Sequence, residues 1–380
     1  MKIVLTGSGS GGHFYPLIAV AERIHDIAGE RKLLEPELFY MGPEPFDRTA
    51  LLEQNITYKP SAAGKIRREG GFIRNFFDFF RTGAGVIQTT FQLFSLYPDV
   101  IFSKGGYAAF PTLFAARLLR IPVIIHESDA VPGRVNLWSS SFAKWIGIAH
   151  PDASSAFKKS VHEKIALVGN PMRREIEKPA TEGAHQFLKL DPTVPTIYVT
   201  GGSLGAQAIN NVVLDALPEL VQHYNIVHQV GKAHVVEVTG VAKTILHGTR
   251  YEDRYRVFGL LNTLAVKMVA GVSSLIVSRA GSNTIFEIAQ WGIPSILIPI
   301  PEDVSHDQTK NAFSYARSGA ATVLKQRNVT PNILIAEIAR IMEDDVLQKQ
   351  MREGATGFAQ PGAAEKMARI ILDTALEHTK

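Results

Sequence analysis

Two glycine-rich segments, and a few polar residues that follow apolar runs, are where this 380-residue chain carries residue types suited to chemistry. The first is Gly7-Ser8-Gly9-Ser10-Gly11-Gly12 with His13 directly behind it, and the second is Gly201-Gly202-Ser203-Leu204-Gly205. A glycine turn that opens a helix presents free backbone N–H groups at the positive end of the helix dipole, a setting that suits phosphate. The first segment fits G-x-G-x-x-G, which alone is equally a dinucleotide turn or a plain tight turn. A dinucleotide site also needs an acid behind the second strand, and Glu44, after Gly42-Pro43, is poorly placed for it. His13 has a side chain that titrates near working pH and could act as a general base or cap the helix; spacing leaves both open. In the second turn Ser203 adds a hydroxyl to the amide cradle, and the chain has no Asp-x-Asp pair of the metal-binding kind. That combination points to a diphosphate held without a metal ion.

Two further clusters follow apolar runs. In Ser278-Arg-Ala-Gly281-Ser282-Asn283-Thr284-Ile-Phe-Glu287, Ser282 is placed to cap a helix. Glu287 could accept both hydroxyls of a ribose, or be an ordinary helical Glu. Pro299 to Asn311 has the composition of a binding loop, in which Asp307 and Gln308 could bond sugar hydroxyls or simply face water. Residues 64–94 mix Lys65, Arg67, Arg68, Arg74 and Arg81 with seven phenylalanines. This suits an anionic membrane surface. Phe72, Phe76 and Phe80 share a helical face that packs equally well in a core, so the core is expected for the rings and the interface for the basic loop.

The elements that must position these groups alternate along the chain. Strands are expected at Ile3–Thr6, Leu38–Met41, Val100–Ser103, Val123–His126 and Trp145–Ile148, then at Ile197–Thr200, Asn225–Gln229, Val257–Phe258, Ser274–Val277 and Ser295–Pro299. Helix-length segments between them predict α/β sheets of parallel strands, covered on both faces. Lys2–Gly7 aligns with Thr196–Gly201, and each runs into its glycine turn and then a helix, expected at Pro16–His25 and Ala206–Leu217. Two Rossmann-like domains follow, 1–170 and 171–360, with a boundary in Val168-Gly-Asn-Pro-Met-Arg173. The last segment, 361–380, holds an amphipathic helix over Ala363–Leu376 of the kind that packs back on the first domain.

Composition excludes several classes. Apolar residues make up 46% of the chain, enough for sizeable cores, and the absence of Cys removes disulfides, thiolate metal sites and a cysteine nucleophile. No apolar run reaches the roughly 20 residues of a membrane span, and the first strand turns glycine-rich too soon for a signal peptide. The net charge of +4 lies entirely in residues 1–170, with 19 basic and 15 acidic side chains against 21 of each beyond. No nucleic-acid-binding motif accompanies it, so an anionic membrane or a phosphorylated substrate is the expected partner, with no nucleic acid.

Taken in order, Gly11-Gly-His13 with Pro16, Ser103-Lys-Gly105-Gly106-Tyr107, His126-Glu-Ser-Asp129-Ala-Val-Pro-Gly133 with Asn136, Gly169-Asn-Pro-Met-Arg173, Thr200-Gly-Gly-Ser-Leu-Gly-Ala206, Ser278-Arg-Ala-Gly281 through Glu287, and Asp307-Gln308 with Asn311 make a pattern. Over nearly the whole chain it resembles the MurG-type undecaprenyldiphospho-muramoylpentapeptide β-N-acetylglucosaminyltransferases, glycosyltransferase family 28. The resemblance implies a GT-B fold, two Rossmann-like domains with parallel sheets facing across a cleft. It implies inverting transfer of GlcNAc from UDP-GlcNAc to the 4-hydroxyl of the muramoyl sugar of lipid I, giving lipid II for peptidoglycan synthesis, with no cofactor and no metal. It further implies a peripheral enzyme on the cytoplasmic face of the plasma (inner) membrane. By the same resemblance Glu287 holds the ribose, Gly202 and Ser203 the diphosphate, Arg173 the phosphates or the hinge, and Leu261 lies near uracil. Ser282, Asn283, Thr284, Asp307 and Gln308 complete the donor set; Asp129 and, from the acceptor side, Ser10, Gly11 and Gly12 join it. Gly9, Gly105, Gly106, Tyr107 and Asn136 face the acceptor, His13 is the base candidate, and Lys65, Arg67, Arg68, Phe72 and Phe76 meet the membrane. The family has Asn where this chain has Asp129, and a Gln-Gln pair where it has Asp307-Gln308. An ionised Asp only accepts hydrogen bonds, so donor-sugar specificity is open at both places. The competing readings are another GT-B enzyme with a different lipid or soluble acceptor, and a non-catalytic nucleotide-sugar-binding protein.

Overall fold

The computed structural model describes residues 1–65, 72–202, 205–301 and 306–378. Arg67, Arg68 and Ser203 lie outside these residues, and so do the side chains of Phe72 and Asp307. The chain forms two compact units, Met1–Arg173 with Gln360–Lys380, and Arg174–Ala359.

The first unit is built on seven strands, β1 Lys2–Thr6, β2 Glu37–Gly42, β3 Ile56–Pro60, β4 Val100–Ser103, β5 Val123–Glu127, β6 Trp145–Ile148 and β7 Ile165–Leu167. They form one parallel sheet in the order β3-β2-β1-β4-β5-β6-β7. The second unit has β8 Thr196–Thr200, β9 Asn225–Gln229, β10 Tyr255–Phe258, β11 Ser273–Ser278, β12 Ser295–Leu297 and β13 Ala321–Val323. These are also all parallel, in the order β10-β9-β8-β11-β12-β13. In each sheet the strand order reverses beside the strand that precedes a glycine turn, β1 in one and β8 in the other. That reversal opens the crevice where such folds bind ligands.

The expected strands all form, and three short ones join them: β3, β7 and β13. Each lies at a sheet edge; β3 buries only Ile56, and β7 and β13 have no fully buried residue. Central strands such as β4 and β8 are buried on both faces, which is why they read as unbroken apolar runs.

Two helices differ from expectation at prolines. The first runs Gly11–Glu30 and takes in Pro16; the second runs Gln207–His223 and takes in Pro218. An interior Pro costs roughly 3 kcal/mol. Beyond Pro218 the second helix buries Leu220 and Val221, each worth about 1.5–3 kcal/mol, so continuing outweighs stopping.

The closing helix, Ala363–His378, buries Ala364, Met367, Ala368, Ile371, Leu372 and Ala375 in one cluster with Phe14, Leu17 and Ile24 of the helix Gly11–Glu30. Two glycines leave room for its return. A Cβ on Gly147 would stand 2.8 Å from Met367 Sδ, and one on Gly169, whose φ is +85°, would stand 2.3 Å from Gln360 Cβ. Ion pairs Arg31–Asp373 and Lys144–Glu377 lie on the surface, where such pairs contribute about 0–1 kcal/mol. Apolar burial therefore holds this helix in place.

The helix Phe72–Leu96 overturns the expectation that its rings enter a core. Phe76, Phe77, Phe79, Phe80, Phe91 and Phe94 are 53–72% exposed. Its inward stripe is Gly85, Thr89 and Leu93, and the segment 61–65 lies directly against the first two, Ser61 Oγ being 3.0 Å from Thr89 Oγ1. A Cβ on Gly85 would fall 1.7 Å from Ala62 O. Gly64 N–H donates to Thr82 Oγ1 at 3.1 Å, and Ala62 N–H to Gln88 Oε1 at 3.2 Å. The inner face is thus taken up by this backbone around Gly85 and, further along, by Leu93 in the core cluster with Leu113 and Ala116, and the phenylalanines lie on the outward side.

Candidate active site

In the first unit β1 ends at Thr6 and the turn Gly7–Ser10 delivers the chain to the helix starting at Gly11. Ser10 takes the N-cap position, and its carbonyl accepts from His13 and Phe14 N–H at 3.0 Å each. Gly9, Ser10 and Gly12 are exposed, so the turn faces solvent at the sheet's C-terminal edge. Ser10 Oγ lies 3.0 Å from His13 Nδ1. If Nδ1–H donates to Ser10, the Nε2 lone pair is free to take a proton. Burial, and then the charge of Lys104, lower the His13 pKa to about 4, so the ring is neutral near pH 7.

The second wall of this crevice follows β4. Gly105 and Gly106 have φ of +72° and +80°, and both sit against other parts of the site. A Cβ on Gly106 would be 2.6 Å from Ser8 Cβ, and one on Gly105 would be 2.5 Å from Asn136 Oδ1. Only glycine lets these loops touch. Tyr107 starts the following turn and is 37% exposed. Asn136 is buried; its Nδ2 donates to His126 O at 3.1 Å and Glu127 Oε2 at 2.9 Å, which fixes the loop from beneath.

Under these loops is a buried polar network built from three of the segments that carry the family pattern. Lys104 Nζ donates to His126 Nδ1 at 2.6 Å, Ser128 Oγ at 2.5 Å and Asn170 Oδ1 at 3.1 Å. His126 Nε2–H donates to Gly169 O at 2.8 Å, which leaves Nδ1 as the acceptor for lysine. Burial pulls the Lys104 pKa down to about 7 against the opposing charges of Glu127 and Asp129. Burial also raises the Glu127 pKa, although its carboxylate accepts from Asp129 N–H, Gly133 N–H and Asn136 Nδ2, each at 2.9 Å. Asp129 itself is half-buried. Arg173 stacks its guanidinium 4.3 Å from the centre of the Tyr15 ring, and its Nε is buried with no hydrogen-bond partner among the described residues. Glu44, the weak dinucleotide acid, is exposed and paired with Arg48 at 2.6 Å.

The second unit repeats the device. After β8, Gly202 and Gly205 take φ of +83° and +77° before the helix Gln207–His223. Gly202 N–H donates to Thr200 Oγ1 at 3.0 Å and Gly205 N–H to Gly202 O at 3.1 Å. Beside this turn β11 leads through Arg279-Ala280-Gly281 into the helix Ser282–Trp291. Here Gly281, and not Ser282, is the N-cap. Ser282 is already helical and 7% exposed, so its hydroxyl lies inside the first turn. Asn283, Thr284 and Glu287 are half-buried along the same helix. Arg279 Nη1 is committed to Ile298 O at 3.0 Å and Pro299 O at 3.3 Å. Gln308 Oε1 accepts from Ile300 N–H at 3.1 Å, and its Nε2 lies 4.0 Å from where a Cβ on Gly281 would be. Leu261 places its side chain in the apolar cluster with Ala265 and Val269. Among the described residues no group of His, Asp and Glu is arranged to hold a metal ion.

Comparison with known proteins agrees in both halves. Residues 3–148 match the glycosyltransferase family 28 N-terminal domain, and residues 196–367 its C-terminal domain. The chain is 33% identical to a UDP-N-acetylglucosamine–N-acetylmuramyl-(pentapeptide) pyrophosphoryl-undecaprenol N-acetylglucosamine transferase of Treponema denticola, over 98% of this chain and 96% of that one. It is 34% identical to a transferase of the same name, numbered 2, from Bacillus thuringiensis subsp. konkukian, over 92% and 93%. Among solved structures, Acinetobacter baumannii MurG superposes with a TM-score of 0.73 at 27% identity, covering 98% of this chain and 99% of that one. The UDP complex of S. aureus MnaA, with a TM-score of 0.69 at 15% identity and coverage of 100% and 98%, shares the fold.

Proposed function

The chain belongs to glycosyltransferase family 28, and from that premise we propose that it moves GlcNAc from UDP-GlcNAc to the 4-hydroxyl of the muramoyl sugar of lipid I, forming lipid II. The observation that carries this reading is the repeated device: in each unit a glycine turn and a helix N-terminus occupy the point where strand order reverses. In the second unit Gly202, Gly205 and the helix behind them receive the diphosphate and stabilise it as it leaves. Glu287 accepts the ribose hydroxyls, Leu261 lines the base side, and Asn283, Thr284 and Gln308 reach the sugar. In the first unit His13 removes the proton of the acceptor hydroxyl, which attacks the anomeric carbon from the face opposite UDP. Ser10–Gly12, Gly105, Gly106 and Tyr107 shape the acceptor side, and Arg173, aligned by Tyr15, bears on phosphate. Incubation with radiolabelled UDP-GlcNAc and lipid I is expected to give a lipid-linked disaccharide; UDP release with no label on the lipid would overturn the reading.

The ribose assignment has its own test. Losing a charge-assisted hydrogen-bond acceptor costs about 1.5–3 kcal/mol, so Glu287→Ala is expected to weaken UDP binding by roughly 10- to 150-fold in calorimetry. Unchanged affinity would remove Glu287 from the donor site.

The acceptor is a lipid, and no described helix is long and apolar enough to cross a membrane. We therefore propose that the exposed phenylalanines of the helix Phe72–Leu96, with Lys65, Arg67, Arg68 and Arg81, dock this unit on the anionic cytoplasmic leaflet. Burying one Phe contributes about 1.5–3 kcal/mol and each basic residue near the surface about 1 kcal/mol. Phe76→Ser with Phe80→Ser should therefore cut sedimentation with phosphatidylglycerol vesicles at least about tenfold. Neutralising Lys65, Arg67 and Arg68 should weaken it further, more so at low salt. Binding unaffected by either set would rule out this face.

A further inference from the structure

The residue that ties the second unit's loops into one surface sits in an otherwise ordinary strand. Gln229 is the last residue of β9, in register with Thr200 of β8 on one side and Phe258 of β10 on the other. Its side chain, 6% exposed, reaches both of the loops that leave those neighbours. Nε2 donates to Thr200 Oγ1 at 3.2 Å and to Gly202 O at 3.3 Å. Oε1 accepts from Leu261 N–H at 3.0 Å. The direction of the amide is fixed by chemistry: a backbone N–H must face its oxygen, and a carbonyl must face its nitrogen. Thr200 Oγ1 also accepts from Gly202 N–H, so both backbone polar groups of Gly202, which sits at positive φ, are caught in the same cluster.

We propose that Gln229 is a positioning residue for donor binding: through one buried amide it sets Gly202, where the turn after β8 begins, in register with the loop at 259–262. The inference rests on the reading that this unit holds the UDP end of the donor. The side chains nearest to it in kind do not satisfy both loops at once. A carboxylate lacks the two donors, a lysine lacks the acceptor, and an Asn is one methylene short of the span. The two loops leave the same edge of the sheet from strands on either side of β9. A ligand that touches both pays less ordering cost when they are already locked together.

The test separates the two joints. Gln229→Met removes both at nearly constant volume. Thr200→Val removes the anchor shared by Gln229 and Gly202 and keeps the Gln229–Leu261 bond. UDP and uridine are titrated calorimetrically, and hydrogen exchange is followed in 201–205 and 259–262. In the wild type, UDP should slow exchange in both segments. Gln229→Met should weaken UDP by about ten- to a hundredfold, the loss expected when buried partners are left unpaired, and should also weaken uridine. Thr200→Val should weaken UDP but leave uridine within twofold. In turnover both variants should raise the donor KM and keep kcat at saturating donor. Wild-type UDP affinity in Gln229→Met, or an equal loss of uridine and UDP in Thr200→Val, would overturn the positioning role. Should wild-type UDP protect neither segment, the donor reading itself falls, and this inference with it.

Discussion

Replacing His13 by Ala is expected to lower kcat by roughly 10²–10⁴-fold, the usual value of a positioned general base, with UDP affinity nearly unchanged. The expectation comes from the ring's place at the start of the helix, 3.0 Å from Ser10 Oγ, and its protonation state from its surroundings. Burial first, and the Lys104 charge second, depress its pKa from 6.5 to about 4. A base must be neutral to work, and this one is neutral throughout the physiological range. The acid limb of the kcat/KM profile should therefore fall near pH 4 and not near 6.5. Stability moves in the same direction. Between pH 6.5 and 4 the unfolded chain binds a proton that the folded ring refuses, so folding free energy contributed by His13 is complete above 6.5 and declines as pH falls toward 4. Rates in that window are accordingly taken alongside circular dichroism, so that lost fold is not counted as a protonated base. Ser10→Ala should give a smaller loss, because it frees the ring's tautomer without removing it. A His13→Ala enzyme with full kcat and poor donor affinity would make His13 a binding group.

How legible each feature is in the sequence follows from how it is encoded. Strands buried on both faces, such as Val100–Ser103, are unbroken apolar runs, whereas β3, with Thr57, Tyr58 and Lys59, looks like a loop because one side meets water. The glycine turns, His13 and Glu287 are local in sequence and so stand out as motifs. The members of the network beneath them also lie in such segments, but their pairing is not legible, since Lys104 and Asn170 are brought together from 66 residues apart. Gln229 is inconspicuous for a related reason: it ends an expected strand, and its role lies in bonds to loops 27 and 32 residues away. The phenylalanines of 76–94 pose the opposite difficulty. Their spacing suits a core or a surface equally, and the outcome is decided on the other side of the helix, where Gly64 and Gly85 let a backbone segment take the space a core would need.

Gly205→Ala is expected to abolish measurable UDP binding, a loss of about a hundredfold or more, while leaving the unit folded. Two effects add. Gly205 holds φ at +77°, where a side chain costs roughly 1–2 kcal/mol. The new Cβ would also lie 2.1 Å from Val230 O and 2.9 Å from Val230 C, which are backbone atoms just past β9 and cannot swing aside. The turn must give instead. Its N–H bond to Gly202 O at 3.1 Å is the first to break, and with it goes the direction of the amides proposed to face the diphosphate. Gly240 supplies the control. It lies within the helix Val235–Leu246 with open space where a Cβ would stand, so Gly240→Ala should stabilise the unit by about 0.8–1 kcal/mol through helix propensity and leave UDP affinity alone. Calorimetry on the two variants thus separates a general sensitivity to glycine loss from a requirement for this turn. A Gly205→Ala protein that melts normally and binds UDP as the wild type does would mean that the diphosphate is held somewhere other than the turn after β8.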